Sequence, residues 1–141
     1  MLARNPYNAY KKQSIETVSQ QQLVVLLYEG MIKFIKRAII AVDKKDFEGV
    51  HVNLSKTNNI LLELISGLNM EQGGEIAYNL KRLYVYSYER LTHANLKKDK
   101  AIMEEILNVI SPLTEAWRDV RDSRQIVGEG RSSPNNFIKS A

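Results

Sequence analysis

Cysteine is absent from the 141-residue chain. That excludes disulfides, thiolate nucleophiles and cysteine-based metal sites, and it agrees with a reducing compartment. Histidine is scarce, with only His51 and His93. A di-iron or di-manganese bundle site needs two Glu-x-x-His pairs and two further glutamates. Glu48 and His51 match that spacing once, at a helix start, and His93 has no acid three residues before it. A Ser-His-Asp set would have to be assembled from polar helix faces. Gly73-Gly74 makes neither a G-x-G-x-x-G turn nor a phosphate loop ahead of G-K-S/T. The expectation is no catalytic residue, no cofactor, no metal and no enzyme. Nor is there an uninterrupted apolar span. The greasiest stretch, Leu23 to Val42, contains Glu29, Lys33, Lys36 and Arg37, so it suits a buried helix and not membrane insertion. The segment Met1–Tyr10 lacks the apolar core of a signal peptide.

The net charge is +4, and its location matters more than its size. Residues 1–18 hold three bases and one acid, residues 121–141 hold four bases and two acids, and the chain between them is neutral. A nucleic-acid binder carries its basic stripe on the folded body, so no nucleic-acid partner is expected.

Four segments have helical periodicity and none has sustained strand alternation. In the first, Val24, Leu27, Met31, Phe34, Ala38 and Val42 recur every three or four residues, beside a second row of Tyr28, Ile32, Ile35 and Ile39. In the second, Val50, Leu54, Thr57, Leu61, Leu64 and Leu68 step 4-3-4-3-4. Ala77, Leu80, Tyr84, Ser87, Leu91 and Ala94 form the third stripe; Ile102, Ile106, Val109, Leu113, Trp117 and Val120 form the fourth. Four such stripes facing one axis predict an all-α, antiparallel four-helix bundle. The expected helices lie near 19–43, 47–68, 74–96 and 100–125. Ser19 and Gln22 read as a capping box, with Val18 and Leu23 as a hydrophobic staple. Asp46 and Asp99 read as N-caps of the second and fourth helices. Two glycines in Asn69–Gly74 separate the second and third helices.

The expected organisation is an N-terminal lid segment over 1–18, a helical bundle over 19–127 and a disordered tail over 128–141. Two residues break local rules. Gly30, in mid-helix, reads as a close approach of a packed helix or of a partner. Pro112 is expected to kink the fourth helix or split it near Asn108. Tyr86 falls on the polar face of the third helix, where an aromatic is a candidate contact. The first helix has more apolar positions than one core stripe needs. The excess implies either a groove for an amphipathic partner helix or a homodimer seam.

The residues also resemble a known family. Asn5-Pro6-Tyr7-Asn8-Ala9-Tyr10 followed by Leu26-Leu27-Tyr28-Glu29-Gly30 is similar to the flagellar secretion chaperone FliS family. So are Lys56-Thr57-Asn58-Asn59-Ile60-Leu61-Leu62-Glu63-Leu64, Gly73-Gly74-Glu75-Ile76-Ala77-Tyr78-Asn79-Leu80, Leu83-Tyr84-Val85-Tyr86 with Arg90-Leu91, Ala94-Asn95 before Asp99, and Glu115-Ala116-Trp117-Arg118. These run in family order from about 5 to 120. The resemblance implies a bacterial cytosolic chaperone that binds the disordered C-terminal segment of flagellin. It would prevent premature polymerisation and keep the client competent for type III export. The alternative is a self-associating structural bundle. Further implied partners are an export-gate protein or a flagellar regulator, with the chain itself a monomer or weak homodimer. The residues expected to touch the client are Tyr7, Tyr10, Leu27, Gly30, Asn59 and Tyr86. Pro112 and the length of the tail after Gly128 depart from the family pattern.

Overall fold

A computed structural model describes the backbone of residues 6–127 and the side chains of residues 20–123. Four helices follow one another: α1 (Pro6–Asp43), α2 (Phe47–Ser66), α3 (Met70–Lys97) and α4 (Lys100–Val127). The connections are two or three residues long, which forces neighbours antiparallel. α1 packs on α2 and α4, and α3 packs on the same two from the opposite corner. The four-helix bundle expected from the periodicity is therefore the architecture observed.

Two of the connections use one device. The tripeptide Lys-Lys-Asp occurs at 44–46 and again at 97–99. Its middle residue, Lys45 or Lys98, turns into the left-handed region at φ 58° or 54°. The amides of Asp46 and Asp99 reach back to the carbonyls of Ala41 and Ala94 and close the preceding helix. The same aspartates then cap the next helix, Asp46 accepting from the Gly49 amide and Asp99 from those of Ala101 and Ile102. Both caps lie where the sequence places them. Between α2 and α3, Gly67 closes one helix and Asn69 caps the next. Gly74 then breaks α3 at φ 55°, ψ −131°, a conformation essentially reserved for glycine.

Two expectations about helix ends fail. α1 begins at Pro6 and runs through Ser19 without interruption. The Ser19–Gln22 signature is local, whereas residues 7–29 contain neither proline nor glycine to stop a helix. A proline in the first turn gives up no intrahelical hydrogen bond, so Pro6 is a sound start. Residues 6–18 thus belong to helix one, and the expected tail over 128–141 lies outside the described residues. Nor is α4 split near Asn108: it continues through Pro112 as one helix. Pro112 is exposed, as is Asn108, whose carbonyl would have received the missing N–H, so solvent can take its place.

The core matches the second and third stripes closely. Val50, Leu54, Thr57, Leu61 and Leu64 are buried on α2, and Ala77, Tyr84, Ser87, Leu91 and Ala94 on α3. On α1 the two apolar rows share the work, with Val24, Tyr28, Met31, Ile35 and Ala38 facing inward. On α4 the buried row is Ile106, Ile110, Thr114 and Trp117, so Val109 and Leu113 are only partly covered. The hydroxyl of Thr114 donates to the Ile110 carbonyl at 2.9 Å, which lets a polar residue occupy a core position. At the centre, Tyr28 meets Tyr84 edge-on at 6.3 Å and Trp117 at 6.2 Å. The Tyr28 and Tyr84 hydroxyls hydrogen-bond at 2.5 Å. Burial pushes both phenols above the ordinary tyrosine range, so the pair stays neutral.

Candidate binding surface

Polar pins hold three of the four seams. On α1/α4, Arg118 bonds Glu29 at 2.9 Å and Lys100 bonds Asp43 at 3.0 Å. On α2/α3, Asn58 donates to Thr92 at 3.1 Å, and Asn95 lies 3.0 Å from His51 Nδ1. On α3/α4, Glu105 accepts from the Tyr86 hydroxyl at 2.5 Å and from Arg90 at 2.9 Å. The hydrogen bond from Tyr86, with that from Arg90, holds the Glu105 carboxyl below its usual range and pushes the Tyr86 phenol up. On α1/α2 the helices meet differently. A Cβ added to Gly30 would come within 3.2 Å of Ile60 Cδ1, and Lys33 and Lys56 both lie over the Phe34 ring, at 5.0 and 5.2 Å.

Outside these seams, helix α3 turns a largely aromatic and apolar strip to solvent. An open depression of about 380 Å³ is lined by Met70, Tyr78, Lys81, Arg82, Val85, Tyr86 and Glu89. Its construction follows from the sequence. Tyr78, Arg82, Val85, Tyr86 and Glu89 recur at helical spacing on the side of α3 opposite Tyr84 and Leu91. Met70 joins them because the Gly74 break folds the first turn of α3 out of line with the rest. Tyr78 is 53% exposed, and the Arg82 guanidinium sits 5.8 Å from its ring. Leu62 on α2 and Ile76 on α3 are also exposed. An aliphatic and aromatic strip with a basic and acidic fringe can take the apolar side of a peptide and hydrogen-bond its backbone. Among the described residues no three metal-ligating side chains come together, and no helix is long and apolar enough to cross a membrane.

Of the six residues singled out in the sequence, the four whose side chains are described lie on more than one part of the bundle. Tyr86 lies in the α3 depression, with its hydroxyl turned to Glu105 on α4. Gly30 sits on the α1/α2 seam against Ile60, the neighbour of exposed Asn59. Leu27 is partly buried against the core. The side chains of Tyr7 and Tyr10 lie outside the described residues. Sequence reasoning passed over Met70, Tyr78 and Val85. Tyr78 and Val85 carried a usable signal, since they share the helical face of Tyr86. Met70 carried none, because its place depends on the backbone at Gly74.

Comparison with known proteins agrees with this architecture. The family model described as flagellar protein FliS matches residues 3–124. A flagellar secretion chaperone FliS from Campylobacter jejuni is 37% identical over 120 residues, covering 85% of this chain and 94% of that protein. Those from Bacillus subtilis and Salmonella typhimurium are 34% and 35% identical over 125 residues, covering 89% and 85% of this chain and 92% and 93% of theirs. With its four-helix bundle and a family match over nearly its whole length, this chain belongs to the flagellar protein FliS family.

Proposed function

We propose that this chain acts by binding and not by catalysis, as a bacterial cytosolic chaperone for the C-terminal segment of flagellin. The segment's amphipathic stripe would lie on the outer face of α3, be shielded from self-association and remain competent for export. The observation that supports this most strongly is the open depression lined by Met70, Tyr78, Val85 and Tyr86, with Tyr78 and Tyr86 exposed among the described residues. Apolar surface left open on a small bundle marks an interaction site. A groove of this kind suits a segment that orders as it binds and needs no nucleotide for release. Leu27, Gly30, Asn59, Tyr7 and Tyr10 remain candidate contacts for a client that extends around the bundle.

The test is calorimetric titration of a flagellin C-terminal peptide into the chain and into Val85→Glu. A charge set into the strip should weaken binding by about 2 kcal/mol, roughly thirtyfold. Binding should carry a negative heat-capacity change. Equal affinity for the variant would move the client off α3.

A further inference from the structure

Helix α1 carries two heptad-like rows on opposite sides. The inner one, Val24, Tyr28, Met31, Ile35 and Ala38, builds the core. The outer one, Leu23, Leu26, Gly30, Lys33, Arg37 and Ile40, steps 3-4-3-4-3, the spacing of a coiled-coil seam. It faces solvent: Leu23 is 49% exposed, and Leu26 and Ile40 are each 53% exposed. Over about 25 Å of helix, it presents exposed aliphatic residues at both ends and two cations between them, while Gly30 packs against Ile60 of α2. α1 and α3 occupy opposite corners of the bundle, so this row faces away from the α3 depression.

Among the described residues, no carboxylate pairs with its cations. Arg90, Lys100, Arg118 and Arg121 each hold a carboxylate. Among the described residues, Lys33 and Arg37 have no ion pair, and neither has Lys56, which joins Lys33 over the Phe34 ring. The neutrality of the chain's middle conceals this local excess of cations. We infer that the outer row of α1 docks an amphipathic helix of a second protein, one whose apolar stripe is interrupted by carboxylates facing Lys33 and Arg37. Opposed charges at seam positions set register and partner choice. The inference rests on α1 alone and stands whether or not the α3 face holds flagellin.

The probe is a designed, fluorescently labelled amphipathic helix of about five turns. It has leucine along its seam and glutamate at the two positions facing Lys33 and Arg37. A second helix replaces both glutamates by lysine. Anisotropy should give the glutamate helix at least about tenfold tighter binding. Lys33→Glu combined with Arg37→Glu should reverse that preference, and unchanged circular dichroism and melting would establish that the surface variant is folded. A flagellin C-terminal peptide should leave the glutamate helix bound. Equal binding of the two helices, or no reversal in the variant, overturns the proposal. Displacement by the flagellin peptide overturns it too, since the row would then be client surface. So does binding to phosphatidylglycerol vesicles in preference to the glutamate helix, which would make the row a lipid contact.

Discussion

Tyr28 and Tyr84 each bring a hydroxyl into the core, where the two hydrogen-bond one another and Tyr28 also engages Trp117. Removing one hydroxyl breaks the bond between the two buried phenols. Tyr28→Phe or Tyr84→Phe alone should cost about 1–3 kcal/mol, whereas the double variant should cost clearly less than the sum. Urea unfolding of the four proteins checks this, and simple additivity would mean that the two hydroxyls are not coupled. Glu105 makes a second residue-scale prediction. Its native pKa is depressed by the hydrogen bonds from Tyr86 and Arg90. The native state therefore binds fewer protons than the unfolded chain, and the stabilising contribution is present above the ordinary glutamate range. It disappears as pH falls through the depressed native value. Glu105→Gln should have a flatter unfolding midpoint between neutral and acid pH than the parent chain; parallel curves would contradict the assignment. Neither pair was legible in the sequence. Tyr84 could be placed in the core from its stripe, but nothing in the spacing of Tyr28, Tyr86 and Glu105 says which helices stand side by side.

At the scale of elements, the sequence was most readable where one residue type does one job. Asp46 and Asp99 cap helices because a carboxylate can accept the free amides of a first turn, and that requirement is local. The start of α1 was misread because Ser19 satisfies the same local pattern while the chain on both sides favours continuation. Core facing on α4 was off by one residue over Ile110 and Thr114, because Thr114 buries its hydroxyl against its own helix and escapes any apolar count. Pro112 is the instructive case. It removes one hydrogen bond from a helix that continues regardless. Neighbouring packing through Ile110 and Trp117 holds the segment helical. Pro112→Ala should then stabilise the chain by up to about 3 kcal/mol, read as a higher melting temperature and urea midpoint. A loss of stability would mean that the proline is required by the local geometry of α4.

Across the whole molecule, opposite corners of the bundle carry different surfaces. α3 offers aromatic and aliphatic side chains with mixed charge, whereas the outer row of α1 offers exposed aliphatic residues and the cations Lys33 and Arg37. Client binding driven by the α3 strip should respond weakly to salt, and an acidic helix on α1 should respond more strongly. The surplus of apolar positions in α1 was evident from sequence, and it does include exposed leucines. The α3 strip was legible only in part: Tyr86 and its face could be read, but Met70 could not, because its place depends on the backbone at Gly74. The most direct test is photo-crosslinking of a flagellin C-terminal peptide, with a benzoylphenylalanine replacing Tyr78 in one protein and Arg37 in another. If α3 holds the client, the probe at position 78 captures the peptide in a one-to-one adduct and the probe at 37 does not. Capture at 37 with none at 78 would contradict the account.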